Sequence, residues 1–252
     1  MNARPVLVAS AIIACSIMRT AHAEQLVLIP STTEVLITSN YVGASVALFG
    51  AVQDQAGLAQ EDPTYDVVVT VTGPRQAVVA RRKRRFLGIW TNAESWTFAD
   101  APSFLEVLAN RPLESIAGDR ELALYRIGLK HALPPNPAGD DAPFRTALIR
   151  LESEQGDYAE KPEAITFFSP TLFRAVIALP ARAQVGTYRI EAKLFARGGL
   201  VAQAQSGFTI AKTGLVQFIA AAAHNHGLLY GLITAAMALA TGWIASIVFQ
   251  RE

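Results

Sequence analysis

Short apolar, β-branched runs closed by turn residues fill the early part of the chain. Residues 25–29 (QLVLI), 34–38 (EVLIT) and 45–49 (SVALF) are bounded by Pro30, Asn40 and Gly43 or Gly50. Residues 65–72 (YDVVVTVT) stop at the turn pair Gly73-Pro74, and further short runs follow at 77–81, 86–91 and 95–98. Strands at this spacing predict a sandwich rather than a parallel sheet. From Ala101 the period changes. Residues 103–110 (SFLEVLAN) read as a short helix with Ser103 as N-cap, stopped before Pro112. Residues 119–131 (DRELALYRIGLKH) keep mostly helical spacing, and 144–158 place Phe144, Leu148 and Leu151 on one face. Strands resume at 165–168, 172–179, 186–195 and 200–211, with Arg197-Gly198-Gly199 as a hairpin turn. The expected fold is therefore mainly β: an immunoglobulin-like β-sandwich interrupted by a helical insertion at about 101–160.

The two ends carry addresses. Arg4 followed by an apolar stretch at 6–18 and the small-x-small pattern Ala21-His22-Ala23 reads as a signal peptide over 1–23, cleaved before Glu24. A competing reading is a lipoprotein box ending at Cys15. At the other end no charged residue occurs from Thr213 to Gln250, and 227–249 is almost wholly apolar. As a helix these residues measure roughly 34 Å at 1.5 Å per residue, matching a hydrocarbon core of about 30 Å. Arg251 closes the far end as a positive-inside cue. The predicted order is a periplasmic domain at 24–212, a juxtamembrane segment at 213–226, a transmembrane helix at 227–249 and a cytoplasmic tail at 250–252. The predicted location is the bacterial inner membrane, with a single pass.

Projected at 100° per residue, Gly227, Gly231, Ala235, Ala238, Gly242 and Ser246 fall within about a quarter turn. Small residues let helix backbones approach closely in lipid, where no hydrophobic force draws helices together. The stripe predicts packing against another integral membrane protein or a second copy. Its alternative is the ordinary abundance of Ala and Gly in membrane spans.

Composition agrees with lipid burial. Of 252 residues 51% are hydrophobic and 17% charged, against a usual share of about 25% charged. A net charge of +1 gives no global field for nucleic acid. The single cysteine, Cys15, excludes an internal disulfide framework and cysteine-based zinc modules.

The sharpest local feature is Arg81-Arg82-Lys83-Arg84-Arg85. It reads either as an anion receptor (for lipid headgroups, a sulfur oxyanion or an acidic partner) or as a solvated strand end that blunts edge pairing. Along a strand alternate members face opposite sides, so all five share one face only at a bend. His224 and His226 flank Asn225 above the apolar helix. They read as polar markers of the membrane boundary, with metal, haem or proton relay as the alternative. No third ligand is evident, and neither a metal nor a cofactor is expected. Asp140-Asp141 reads as solvated turn residues, and Glu152 and Glu154 as a carboxylate pair able to bind a cation or act as acid and base. Trp90, Trp96 and Phe98 read as core residues. A serine–histidine site would have to use His131 as its base. Nucleotide, zinc-protease and hydrolase motifs do not occur.

Several stretches together resemble one family: Gly73-Pro74-Arg75, Arg81-Arg82-Lys83, Gly88-Ile89-Trp90-Thr91-Asn92, Phe144-Arg145 with Ala147 to Leu151, Leu172-Phe173-Arg174-Ala175, Val185-Gly186-Thr187-Tyr188, and Ala223 to Gly231 (AHNHGLLYG). This pattern resembles the alphaproteobacterial putative transmembrane protein family, exported single-span proteins of unknown function. The resemblance implies no catalytic residues, and it hints at a sulfite-exporter-like permease as partner. The expected function is non-enzymatic: a membrane-anchored periplasmic accessory or interaction protein serving an inner-membrane permease or assembly complex. The alternative is an anion or small-molecule binding module for a transporter.

Overall fold

The computed structural model describes residues 24–38, 40–53, 65–86, 88–133, 141–212, 223–224 and 227–249. The expected signal peptide with Cys15, Asp140, Asn225, His226, most of the juxtamembrane segment and the tail lie outside the described residues.

Among the described residues the strands are β1 (Gln25–Pro30), β2 (Glu34–Ile37), β3 (Ala44–Gln53), β4 (Tyr65–Thr72), β5 (Arg75–Phe86), β6 (Ile89–Pro102), β7 (Leu105–Ala109), β8 (Tyr158–Lys161), β9 (Ile165–Ser169), β10 (Leu172–Leu179), β11 (Gly186–Ala196) and β12 (Gly199–Lys212). The helices are α1 (Leu113–Ile116), α2 (Asp119–Leu124), α3 (Leu129–Ala132), α4 (Ala142–Glu154) and α5 (Gly227–Phe249).

Two sheets share one core. One has the order β1-β3-β10-β9 and the other β2-β12-β11-β4-β7-β8. Strand β10 shows why: Phe173, Ala175, Ile177 and Leu179 are buried while the residues between them are exposed, a strict period of two. Their buried side meets Val67, Val69 and Val71 of β4, Tyr188 and Ile190 of β11, and Phe208 and Ile210 of β12. Phe173 lies opposite Gly50 of β3, and its ring occupies the space where a Cβ on Gly50 would stand. At the β11–β12 turn Arg197 and Gly198 both have positive φ, 52° and 81°, which suits a two-residue hairpin loop.

The larger sheet is covered on its outer face as well. Leu113 and Ile116 of α1, Leu122 of α2 and Ile127 pack with Val68, Val107 and Phe195. This corrects the expected helix at 103–110, which is the strand β7. All five of its residues are buried, because β7 lies between β4 and β8 with helices on one side and the facing sheet on the other. A strand buried on both faces loses its period of two and imitates a buried helix. The expected helix at 119–131 divides into α2 and α3, interrupted by Arg126 and Gly128 at positive φ. Helix α4 ends at Glu154, ahead of Gly156 at φ 80°.

The three short runs expected between 77 and 98 merge into two long strands. Strands β5 and β6 pair only with each other. They continue the β4–β7 pair beyond Gly73-Pro74, where Gly73 N–H donates to Phe104 C=O and Ser103 N–H to Pro74 C=O, both at 2.8 Å. The result is a hairpin arm roughly 36 Å long at 3.3 Å per residue.

Helix α5 runs over 23 residues without a break. Among the described residues no helix is long and apolar enough to cross a membrane.

Candidate functional site

The hairpin arm packs on the body through its lower half, and its described residues beyond are exposed. Val78, Ala80 and Trp96 pack with Phe98, Ala101, Leu133 and, on α4, Phe144 and Leu148. The Trp96 and Phe144 rings stack with centroids 6.3 Å apart. Arg82 extends this face, with its guanidinium 5.7 Å from the Phe144 ring centre and an ion pair to Glu94 at 3.1 Å. At the root of the arm Arg75 pairs with Asp100 at 2.6 Å.

Beyond that base the basic run projects into solvent. Register places Arg81, Lys83 and Arg85 opposite Ser95, Asn92 and Trp90, on the face away from α4. Arg82 and Arg84 occupy the other face, opposite Glu94 and Thr91. Among the described residues Arg81, Lys83, Arg84 and Arg85 have no carboxylate partner; Arg85 donates to Gly88 C=O at 3.4 Å. A cluster split between two faces of a thin ribbon does not enclose a small anion. It offers cations along a surface.

The tip also corrects one expectation. Phe98 is buried and Trp96 half-buried, as core residues should be, but Trp90 is 66% exposed and its neighbour Ile89 69%. Alternation along a strand implies a buried face only where something lies against it, and among the described residues the outer half of the arm stays exposed on both faces.

The apolar helix shows a complementary pattern. Leu228, Leu232, Ile233, Met237, Leu239, Trp243 and Ile244 of α5 are all exposed, on the half of the helix away from the small-residue stripe, and every residue from 231 to 246 is exposed, which covers the other half as well. Of the small-residue stripe, Gly227, Gly231 and Gly242 have, among the described residues, nothing beyond their own helix backbone within 4 Å of an added Cβ, and Ala235, Ala238 and Ser246 are exposed. The hydroxyls of Thr234 and Thr241 donate back to carbonyls three and four residues earlier, at 2.9–3.0 Å. His224 is exposed.

The other chemical candidates are structural or superficial. His131 Nε2 lies 3.3 Å from Asp119 Oδ1, which Lys130 also meets at 3.3 Å. The lysine, first of all, holds the exposed Asp119 carboxyl below its ordinary range. Asp141 accepts from Arg145 at 2.7 Å. Glu152 is raised by burial and then by the neighbouring Asp157 carboxylate, while Glu154 makes only a loose pair with Arg150 at 3.8 Å. Among the described residues no three His, Cys, Asp or Glu side chains gather as a metal site.

Two buried carboxylates escaped the sequence reading. Glu106, 1% exposed, receives Lys161 Nζ at 2.5 Å and the Ala178 N–H of the facing sheet at 3.2 Å. Burial outweighs these partners and pushes its carboxyl up. Asp66 accepts from Asn110 at 2.9 Å and from Arg111 Nε at 2.7 Å. The only signal was a lone acid inside an otherwise apolar run, FLEVLA and YDVVV.

The family described as "Putative transmembrane protein (Alph_Pro_TM)" matches residues 25–251. The chain belongs to this family. The match takes in both sheets, the arm and the apolar helix, and the family description is that of a transmembrane protein without a named activity. No curated protein matches the chain. Similar solved structures include the sporulation control protein Spo0M from Bacillus subtilis, 10% identical with a TM-score of 0.31, covering 81% of this chain and 55% of that one. Native alpha-2-macroglobulin of E. coli is 11% identical at a TM-score of 0.26, covering 75% of this chain and 10% of that one. The chain thus spans about half of the first and a tenth of the second. Likenesses this weak say nothing about what the family member does.

Proposed function

We propose that this family member is a non-enzymatic accessory protein of the bacterial inner membrane. An immunoglobulin-like β body stands on the periplasmic side, α5 crosses the bilayer and residues 250–252 reach the cytoplasm. The observation that carries the reading is α5 itself: a 23-residue helix without Asp, Glu, Lys or Arg, whose described apolar side chains face outward all round. A helix apolar on every side has to be buried in something, and its length fits the hydrocarbon core. The internally bonded Thr234 and Thr241 hydroxyls suit a medium without water. Accessory rather than catalytic work is supported by where the charged groups lie: Glu106 and Asp66 are spent on ion pairs inside the fold, and His131 lies with Lys130 and Asp119 at the surface.

A partner has two surfaces to meet. One is the small-residue stripe of α5. The other is the outer face of the four-stranded sheet, where Ile29, Phe49, Leu172 and Val176 are 40–62% exposed. An inner-membrane permease or assembly complex presents both a helix and an extramembrane surface, so it is the natural class of partner. Cross-linking in native membranes followed by identification of the captured protein tests this reading. Reproducible capture of one integral membrane protein supports it; capture of none in intact membranes overturns it.

A further inference from the structure

We propose that the β5–β6 arm is a second membrane contact, which lays its basic strand on anionic phospholipid headgroups and sets Ile89 and Trp90 into the headgroup–acyl boundary. The inference rests on the anchored reading above and adds to it the surface that the arm touches.

Charge distribution comes first. Residues 75–102 hold six cations and two carboxylates, whereas the rest of residues 24–214 holds 13 cations and 18 carboxylates. A positive finger therefore stands on a negative body. Both carboxylates of the arm are already engaged, by Arg75 at its root and by Arg82 beyond its middle. Residues 83–93 carry three cations and no acid. The cations are thus unneutralised where the arm is farthest from the body.

Side-chain chemistry then decides among partners. An acidic protein surface or a second copy's negative body would satisfy the cations alone. It would leave Trp90 and Ile89, 66% and 69% exposed beside the turn, without a purpose. Trp is favoured at the lipid–water boundary because its ring is apolar and its N–H is polar. Basic side chains beside it bury their stems and keep their charges at headgroup level. Both kinds of residue occur at one end of the ribbon, which the Trp96–Phe144 stack holds against α4 near its middle. A protein tethered by one helix would gain a fixed orientation on the membrane from such a second contact.

The test uses the full chain reconstituted into nanodiscs. Ile89→Cys in a Cys15→Ser background gives one thiol, labelled with an environment-sensitive fluorophore. Discs of phosphatidylcholine alone are compared with discs containing phosphatidylglycerol. The expected result is a several-fold rise and blue shift of emission in the anionic discs only, reversed by raising salt from 0.15 to about 0.5 M. The combined Arg81→Glu, Lys83→Glu and Arg85→Glu variant should return emission to the value in neutral discs, while Arg174→Glu, outside the arm, should leave it unchanged. Water-like emission in both lipids overturns the proposal. So does equal protection in both, which marks apolar contact with protein or a second copy. The anchor is read separately: a chain that does not co-elute with the discs refutes the span. Vesicles of the same two compositions, added to that chain, then support or overturn the arm's lipid contact by the same difference in emission.

Discussion

A single acid shows how much of this molecule is decided residue by residue. Glu106 is buried between the two sheets with one lysine and one backbone N–H for company, and desolvation holds its carboxyl above the ordinary range. An acid raised in the folded state binds protons that the unfolded chain has already released. Its contribution to stability is full below the unfolded value near 4.5 and is lost as pH rises through the folded one. Glu152 is displaced in the same direction. Urea titrations at a series of pH values should therefore show stability falling upward from pH 4.5, with a shallower fall in Glu106→Gln. Glu106→Ala also leaves the Ala178 N–H without this acceptor and should cost about 1–3 kcal/mol near pH 4.5, a cost that shrinks as pH rises and the wild type loses the stability its raised carboxyl gave. Gly50 offers a purely steric counterpart. Its added Cβ would stand 2.0 Å from the Phe173 ring, so Gly50→Ala should destabilise the chain by about 1–3 kcal/mol through overpacking. A denaturation midpoint lowered without a change of slope would show it.

Elements were legible wherever one face met the core and the other met water. Strand β10, with its strict alternation, is the case where the period of two and the burial agree residue for residue. Strand β7 is the opposite case: helices and sheet enclose it from both sides, and SFLEVLAN then carries no period that could separate strand from helix. The arm was unreadable for a different reason. Nothing local distinguishes three short strands from two long ones, and only the pairing of β5 with β6 outside both main sheets reveals an extension. The basic run and its split between two faces followed from strand alternation, but the exposed place of Trp90 opposite Arg85 did not, since it depends on that pairing. The Trp96–Phe144 stack is one of the contacts that join the arm to α4. Phe144→Ala should cost about 1–2 kcal/mol, an aromatic pair plus part of a half-buried ring. It should also hasten proteolytic cleavage within residues 83–93, while cleavage elsewhere in the body stays unchanged; equal cleavage rates in the two proteins would show that the base is held by other contacts.

At the scale of the whole molecule, α5 determines where everything else can act. Its described apolar side chains are exposed on all sides, so in water it would present a continuous apolar surface far larger than soluble proteins tolerate. In a bilayer the same surface costs nothing, and the discriminating feature becomes the stripe where side chains are missing. Among the described residues, an added Cβ at Gly231 or Gly242 meets nothing within 4 Å beyond its own helix backbone. The stripe is therefore open to a neighbour, and the packing attraction available there depends on how closely two backbones approach. Isoleucine at both positions keeps the helix apolar while holding a neighbour's backbone off. Gly231→Ile with Gly242→Ile should leave the chain in the membrane pellet after alkaline carbonate washing, yet abolish its association in a membrane two-hybrid assay. Retention with undiminished association would assign the contact to another face of the helix, and release by carbonate would show that α5 does not cross the bilayer at all. The two results separate anchorage from partnership, which a deletion of the helix would remove together.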